Sequence, residues 1–200
     1  MDQEREWILR AREGDAEAFI QLVEAYQTPV YNLAYRMLGN SVEAEDAAQE
    51  TFIRVCTRLD TYDVNRKFSS WLLSIASHYC IDRLRRRRMT LLSLEDVAFT
   101  GHLVSDMGQP EEVMARDEKE AQVRQLLDAL PEDYRAAVVL RYWYDCSYKE
   151  IAQMLDTTES AIKSRLFRAR QMMTRAARET MPELSPPLAA AARGGISFGR

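Results

Sequence analysis

The chain has 200 residues, of which 46% are hydrophobic and 29% are charged, which is enough apolar content for one or two domains with buried cores. Its seven glycines and six prolines are few, and its many Ala, Leu, Glu and Arg residues favour an all-α protein. The net charge of −4 argues against indiscriminate coating of nucleic acid, and three separated cysteines without a CxxC pair predict neither a disulfide framework nor a zinc site.

Periodic apolar residues predict four helices in the first block of the chain, residues 1–88. Breaks at Gly14-Asp15 and Gly39-Asn40 separate the first three, and a polar loop at 60–67 precedes the fourth. We expect Ser41 to cap the third helix, and the fourth helix to start at Ser69 or Ser70 and end in an arginine cluster. The predicted ranges are 3–13, 15–38, 42–59 and 69–88.

The third predicted helix has two different faces. Its apolar side, which we expect to be buried, consists of Ala48, Phe52, Val55 and Leu59. Its other side groups Asp46, Gln49, Glu50 and Ile53. An acidic face with one exposed isoleucine is typical of a protein-docking surface, because phosphates would be repelled. A solvated acidic face remains the alternative, whereas catalysis is not expected because no nearby nucleophile, His ligand or Gly-rich loop supports it.

The fourth predicted helix carries two stripes at helical spacing. A core stripe contains Leu72, Ile75, Ala76 and Tyr79. A second stripe contains Trp71, Ser74, His78 and Arg85 and continues into Arg86; because this is the fourth helix, α4 in chain order, it is called the α4 stripe below. With Tyr62, Asn65 and Phe68 in or beside the preceding loop, this stripe predicts a site for single-stranded nucleic acid, since bases stack on aromatic rings while arginines follow the backbone. Trp71 as a core residue and His78 as an ordinary surface histidine remain the alternatives.

Residues 89–115 lose helical periodicity and contain five acidic residues without Lys or Arg, which predicts an acidic linker. A second block, residues 116–181, follows with Pro131 placed at a helix start. Its predicted helices are 116–129, 131–144, 147–155 and 160–178. The tail, residues 182–200, contains three prolines, an alanine run and paired glycines, and we expect it to be disordered.

The last two predicted helices have the pattern of a helix-turn-helix. Ser147 and Ser160 are the predicted N-caps, and a short polar turn at 156–159 separates the helices. One face of the final helix is expected to be buried, at Ile162, Leu166, Ala169 and Met173. The opposite face presents Lys163, Ser164, Phe167, Arg168 and Gln171. A phenylalanine on a basic face fits a major groove, where it can meet a thymine methyl, although a solvated basic helix remains the alternative.

Together these segments resemble, in order over residues 5–178, the extracytoplasmic-function class of bacterial sigma factors. The matching motifs are LRAREGD at 9–15, EAEDAAQETF at 43–52, FSSWLLSIA at 68–76, DRLRR at 82–86, Leu130-Pro131, and IKSRLFRAR at 162–170. The resemblance implies two small helical domains joined by a flexible linker, the second a helix-turn-helix domain, bound to core RNA polymerase. It also implies an anti-sigma partner.

The resemblance further implies which surfaces meet which partners. The polymerase contacts would include the beta-prime clamp helices and the beta subunit, with the clamp helices meeting Asp46, Gln49, Glu50, Phe52 and Ile53. The non-template strand of the downstream promoter element would meet Tyr62, Asn65, Phe68, Trp71, His78, Arg85 and Arg86. The upstream element would be read as duplex by Lys163, Ser164, Phe167 and Arg168, with Arg165 and Arg170 nearer phosphates and Ser160 at the helix start.

This chain departs from the family pattern at two places. His78 stands where the family usually has Asn, which bears on base preference in the downstream element. Ser160 and Ala161 stand where Gly-Thr often opens the recognition helix, so one phosphate contact from a hydroxyl is expected to be missing.

We therefore predict a promoter-recognition subunit that directs polymerase to promoters and helps to melt them, without catalysis, cofactor or metal of its own. The alternative is a stand-alone helix-turn-helix regulator that binds duplex operators as a dimer, which would leave the first block without a task. An enzyme is the weakest interpretation, because no nucleophile–base pair appears. The absence of a long apolar run or a signal-peptide core predicts a cytoplasmic chain without membrane insertion.

Overall fold

The computed structural model describes residues 2–95 and 114–180, with side chains described over 3–90 and 120–179. All regular structure in these ranges is helical, so the all-α prediction is confirmed. A short 3-10 helix, Leu59–Thr61, links the third and fourth α-helices. The α-helices are α1 (Asp2–Arg12), α2 (Ala16–Leu38), α3 (Ser41–Arg58), α4 (Phe68–Glu95), α5 (Met114–Asp128), α6 (Glu132–Trp143), α7 (Tyr148–Met154) and α8 (Glu159–Thr180).

Polar caps and one glycine fix the breaks between the first three helices. The Asp15 carboxylate accepts hydrogen bonds from the backbone N–H groups of Glu17 and Ala18 and so begins α2. Gly39 ends α2 in the left-handed region at φ 73°, a conformation that glycine adopts without steric cost. Asn40, not Ser41, caps α3: its side chain accepts from the Glu43 N–H at 2.9 Å, so the Ser41 cap prediction is wrong.

The fourth helix is longer than the sequence pattern predicts. α4 starts at Phe68 and continues past the arginine cluster to Glu95, into the segment predicted as a linker. Residues 89–95 contain neither Gly nor Pro and are mostly good helix formers, so nothing in them ends the helix. Residues 96–113 of the predicted linker, and residues 181–200, which include the predicted tail, lie outside the described residues.

Each block has its own buried side chains. In the first block α2 packs against α1, α3 and α4, and the largest fully enclosed side chains include Leu22, Leu33, Met37 and Leu72. The predicted core stripe of α4 is confirmed, since Leu72, Ile75, Ala76 and Tyr79 are all buried. In the second block α6, α7 and α8 enclose Leu140, Ile151, Ile162, Leu166 and Ala169.

The two blocks also pack directly on each other, through α2 with α6 and α4 with α6 and α7. Arg135 is the main buried cation of this interface: its Nη1 donates to the Met37 carbonyl at 2.7 Å and pairs with Asp128 at 2.9 Å. Burial lowers the Arg135 pKa, while the neighbouring Asp128 carboxylate opposes that shift. The Tyr144 hydroxyl donates to the Pro29 carbonyl at 2.5 Å. The chain therefore adopts a closed arrangement of its two blocks.

Candidate nucleic-acid and polymerase interfaces

Helices α7 and α8 form the helix-turn-helix that the sequence pattern predicts. A reciprocal capping box begins α7: Ser147 Oγ accepts from the Glu150 N–H at 3.2 Å, and Glu150 Oε2 accepts from the Ser147 N–H at 2.9 Å. The Ser147 cap prediction is therefore confirmed. After α7, Asp156 adopts a left-handed φ of 47°, and the Thr157 N–H returns to the Ala152 carbonyl at 2.9 Å. This tight turn directs the chain into α8.

Helix α8 begins one residue before the predicted start, and its cap lies two residues before the predicted one. Helix α8 begins at Glu159, and Thr158 Oγ1 accepts from the Ala161 N–H at 3.2 Å. Thr158 is thus the capping side chain, and the prediction that Ser160 caps this helix is wrong. Ser160 lies within the first turn and is exposed. Its hydroxyl is consequently not engaged as the helix cap.

The outward face of α8 is arranged as the sequence predicts. Ile162, Leu166 and Ala169 are buried and Met173 is partly buried, so the helix presents its other side to solvent. That side exposes Lys163, Ser164, Phe167, Arg168, Arg170 and Gln171, whereas Arg165 is half-buried. The Phe167 side chain is 56% exposed although it is large and apolar. An apolar ring between cations, on a helix anchored by its opposite face, has the chemistry that base edges and phosphates require.

The capping carboxylate of α7 is strongly stabilised in its charged form. Hydrogen bonds from the Ser147 N–H, then from Lys67, then from the Ser147 hydroxyl lower the pKa of Glu150 to about 2. The Lys67 Nζ lies 2.9 Å from Glu150 Oε1, and this ion pair joins the two blocks. Glu150 therefore supports both the helix start and the contact between blocks.

We expect the stabilising contribution of the Glu150 carboxylate to be lost in acid. A lowered pKa in the folded chain means that Glu150 stabilises the fold above its ordinary pKa of 4.5 and loses that contribution as the pH falls toward 2. The difference in free energy of unfolding between the parent chain and Glu150→Gln should shrink over this interval. Urea unfolding followed by circular dichroism at a series of pH values measures it. A difference that stays constant from neutral pH to acid would contradict the assignment.

The acidic face of α3 is exposed around Ile53. The Ile53 side chain is 59% exposed, Gln49 is exposed, and Asp46 remains 57% exposed although it lies 3.8 Å from Arg83. Glu50 pairs with Arg54 at 2.8 Å. Phe52 points to the other side and is buried, as its periodicity predicts, so its ring supports α3 from within the core.

The aromatic residues near the start of α4 form one cluster. Tyr62 and Phe68 are only 4% and 2% exposed, and their rings lie 5.1 Å and 5.8 Å from the ring of Trp71. Trp71 is partly buried, and Asn65 in the loop is exposed. The described conformation thus offers no free face of Tyr62 or Phe68 to a base. Both rings instead fix the position of Trp71.

Two side chains of the α4 stripe, His78 and Arg85, contact the second block. His78 Nε2 lies 3.4 Å from Asp156, and Arg85 Nη2 lies 3.1 Å from Asp133, while Arg86 is exposed. Lys67 was not among the residues singled out from the sequence, although it precedes Trp71 by four positions and so falls on the same helical face. This spacing of four residues from Trp71 is the sequence feature from which Lys67 could have been recognised.

Within the described ranges, no three His, Cys, Asp or Glu side chains are grouped so that they could hold a metal ion. The same ranges contain no helix with the length and apolar character needed to cross a bilayer.

Comparison with known proteins matches each of the two blocks to a family model. The family model for Sigma-70 region 2 matches residues 22–90, and the model for Sigma-70, region 4 matches residues 120–173. The ECF RNA polymerase sigma factor SigW of Bacillus subtilis is 36% identical over 178 residues, which cover 86% of this chain and 95% of SigW. This chain belongs to the ECF sigma factors. The RNA polymerase sigma-H factor of Pseudomonas aeruginosa is 34% identical over 188 residues, covering 91% and 97% of the two chains.

Solved structures share the fold of this sigma factor. CnrH, solved in complex with the cytosolic domain of CnrY, aligns with a TM-score of 0.66 at 23% identity and covers 89% of this chain and 99% of its own. The sigma factor RpoE of Bartonella quintana, solved with the anti-sigma factor NepR, aligns with a TM-score of 0.61 at 21% identity, covering 82% and 98%.

As a member of this family, the chain is a promoter-recognition subunit of RNA polymerase. A stand-alone helix-turn-helix regulator would account only for the region 4 match. Because it leaves the region 2 match over residues 22–90 unexplained, that alternative is not supported.

Proposed function

We propose that this sigma factor divides its work among three surfaces. The acidic face of α3 around Ile53 docks on the clamp helices of the polymerase beta-prime subunit, and the chain also contacts the beta subunit. The α4 stripe holds the unpaired non-template strand of the downstream element. The outward face of α8 reads the upstream element as duplex. The exposure of Phe167 between Lys163 and Arg168, on a helix whose opposite face is buried, is the observation that carries this assignment.

The proposed organisation retains the domain limits expected from the sequence: 1–88 for polymerase and downstream DNA, 89–115 as linker, 116–181 for upstream DNA and 182–200 as tail. In this proposal the sigma factor supplies binding energy only, acts in the cytoplasm, and catalyses nothing, because RNA synthesis belongs to the core enzyme. Its fold relative from Bartonella quintana is described with an anti-sigma factor, and we propose such a partner for this chain as well.

Among the predicted strand contacts, the proposal assigns direct contact to Asn65, Trp71, His78, Arg85 and Arg86. Tyr62 and Phe68 act through Trp71, because they are buried beneath it. Among the upstream contacts, Lys163, Ser164, Phe167 and Arg168 meet bases, while Arg165, Arg170 and Ser160 lie nearer the backbone. Phe52 likewise acts in the α3 interface by fixing the helix that presents Asp46, Gln49, Glu50 and Ile53.

Trp71→Ala tests the strand site. Removal of the indole should weaken capture of the melted downstream segment by about 1–3 kcal/mol, the value of one base stacked on an aromatic ring. Holoenzyme binding to a promoter fork whose downstream element is single-stranded measures this loss. Trp71→Phe keeps a stacking face and should retain most of the affinity, whereas fully duplex upstream DNA should bind equally well to all three proteins. Equal binding of the fork by parent and Trp71→Ala would contradict the site.

Arg168→Ala tests the duplex site. If Arg168 reads a base, its loss should cost about 1–3 kcal/mol and relax specificity at one promoter position. Arg175→Ala on the same helix is the matched control, because Arg175 pairs locally with Glu179 at 3.0 Å. Binding of holoenzyme to a library randomised over the upstream element gives both quantities. A uniform loss across all sequences would show that Arg168 contacts phosphate only.

A further inference from the structure

Carboxylates from the second block contact three side chains beside or on α4, namely Lys67, His78 and Arg85. Lys67 Nζ lies 2.9 Å from Glu150, His78 Nε2 lies 3.4 Å from Asp156, and Arg85 contacts Asp133 at 3.1 Å and Glu132 at 3.6 Å. All these contacts join the two halves of the chain. Carboxylates of the second block therefore face Lys67, His78 and Arg85 along this interface.

His78 and Arg85 lie on the same face of α4 as Trp71, and Lys67 immediately precedes the helix on that side. Lys67 precedes Trp71 by four residues, and intervals of seven residues separate Trp71, His78 and Arg85. Intervals of four and seven return to the same side of a helix with 3.6 residues per turn, and seven residues span about 10 Å. The face that carries the α4 stripe is thus the face that meets the carboxylates.

Further contacts, beside those of Lys67, His78 and Arg85, also hold the two blocks together. The Arg135 guanidinium reaches the Met37 carbonyl, and the Tyr144 hydroxyl reaches the Pro29 carbonyl. The Arg36 guanidinium lies over the Trp143 ring, 5.1 Å from its centroid. These contacts are short and partly or fully buried, so they fix the register in which the carboxylates meet the α4 face.

We propose that the second block is an internal competitor of single-stranded DNA, whose carboxylates occupy the positions where the strand's phosphates would bind. This inference rests on the proposed strand-binding function of the α4 stripe. The carboxylates and the strand's phosphates are both negatively charged and would contact the same side chains, so they exclude each other, and strand capture requires the blocks to separate. The outward face of α8 stays exposed in the closed arrangement, as Phe167 and Lys163 show. Closure therefore masks the strand surface and leaves the duplex surface accessible.

The double variant Asp133→Asn/Asp156→Asn tests this proposal in the full chain. It removes two of the carboxylates but leaves the strand-contacting side chains intact, and asparagine tolerates the positive φ of residue 156. The control Asp145→Asn/Glu179→Gln removes the same net charge; Asp145 also has a positive φ, and Glu179 pairs within α8. Small-angle scattering measures closure, and fluorescence anisotropy with a labelled single-stranded oligonucleotide measures strand affinity.

We expect the double variant to have a larger radius of gyration than the parent and control in low salt. The parent should approach the same value at high salt, where exposed ion pairs are screened. The double variant should bind the single strand about tenfold more tightly than the control, the gain expected when an open population of about 10% becomes dominant. Affinity for duplex upstream DNA should match that of the control.

A double variant as compact as the control would show that Asp133 and Asp156 do not hold the two blocks together. An expanded variant whose strand affinity equals that of the control would overturn the masking of the strand site. Adding Arg85→Ala or Trp71→Ala to the opened variant should abolish the gain. If holoenzymes carrying these last two substitutions bound fork DNA as well as the parent holoenzyme, the strand-binding function itself would be rejected, and the competition with it.

Discussion

Leu166→Ala is expected to lower the free energy of unfolding by about 2–5 kcal/mol, the largest effect on stability anticipated here. Leu166 is 2% exposed and lies at the centre of the buried face of α8, between Ile162 and Ala169. Truncation to alanine removes apolar contacts with α6 and α7 and leaves a cavity that the surrounding helices fill only in part. Urea unfolding followed by far-ultraviolet circular dichroism measures the change.

The adjacent position provides the matched control. Phe167→Ala should leave the free energy of unfolding within about 0.5 kcal/mol of the parent, because this ring is 56% exposed. It should instead weaken holoenzyme binding to the upstream element, since the ring lies on the proposed groove-facing side. A Phe167→Ala chain as destabilised as Leu166→Ala would show that the buried and outward faces of α8 had been interchanged.

Ile53→Asp is expected to reduce affinity for core polymerase by about 2–4 kcal/mol, or roughly 30- to 900-fold. Ile53 is an exposed apolar residue among Asp46, Gln49 and Glu50, which is the composition of an interface centre with a polar rim. A carboxylate at this position would enter the interface without a cation to pair with it. Titration of purified core polymerase with labelled sigma factor measures the dissociation constant.

Val42→Asp is the control for this experiment. Val42 is 65% exposed in the first turn of the same helix, where an added negative charge is favourable to the helix dipole. It should leave polymerase affinity near that of the parent. Equal losses in the two variants would mean that the effect is general repulsion, and an undiminished affinity for Ile53→Asp would remove this face from the polymerase contact.

The buried stripes of the helices could be predicted because periodicity depends on local spacing alone. Leu72, Ile75, Ala76 and Tyr79 in α4 are all buried, as their spacing indicates. The exposed side of α8 follows from the same rule once its buried side is fixed.

The caps were harder to predict, because adjacent polar residues compete for the same position. Asn40 and Ser41, or Thr158 and Ser160, can all accept a backbone hydrogen bond, and sequence order does not decide which of them does. The capping residue is decided by where the helical backbone begins, and a shift of that start by one or two residues selects the other side chain. The predictions failed at these places and succeeded at Ser147, where Glu150 completes a capping box.

Contacts between distant parts of the chain cannot be predicted from the periodicity of the sequence. Tyr62 and Phe68 stand in or next to a polar loop, which suggested accessible rings, yet the loop folds so that both rings pack beneath Trp71. The pairing of Lys67 with Glu150 joins residues 83 positions apart. Such contacts depend on how the two blocks pack, a property of the assembled fold that no short motif encodes.

The division of labour between the blocks is tested most directly by footprinting one promoter, chosen from a random library with reconstituted holoenzyme. The sigma factor alone should protect the duplex poorly. With core polymerase it should protect the upstream element and make downstream thymines reactive to permanganate, as melting requires. Tight protection of duplex by the sigma factor alone, unchanged by core polymerase and without reactive thymines, would contradict this account.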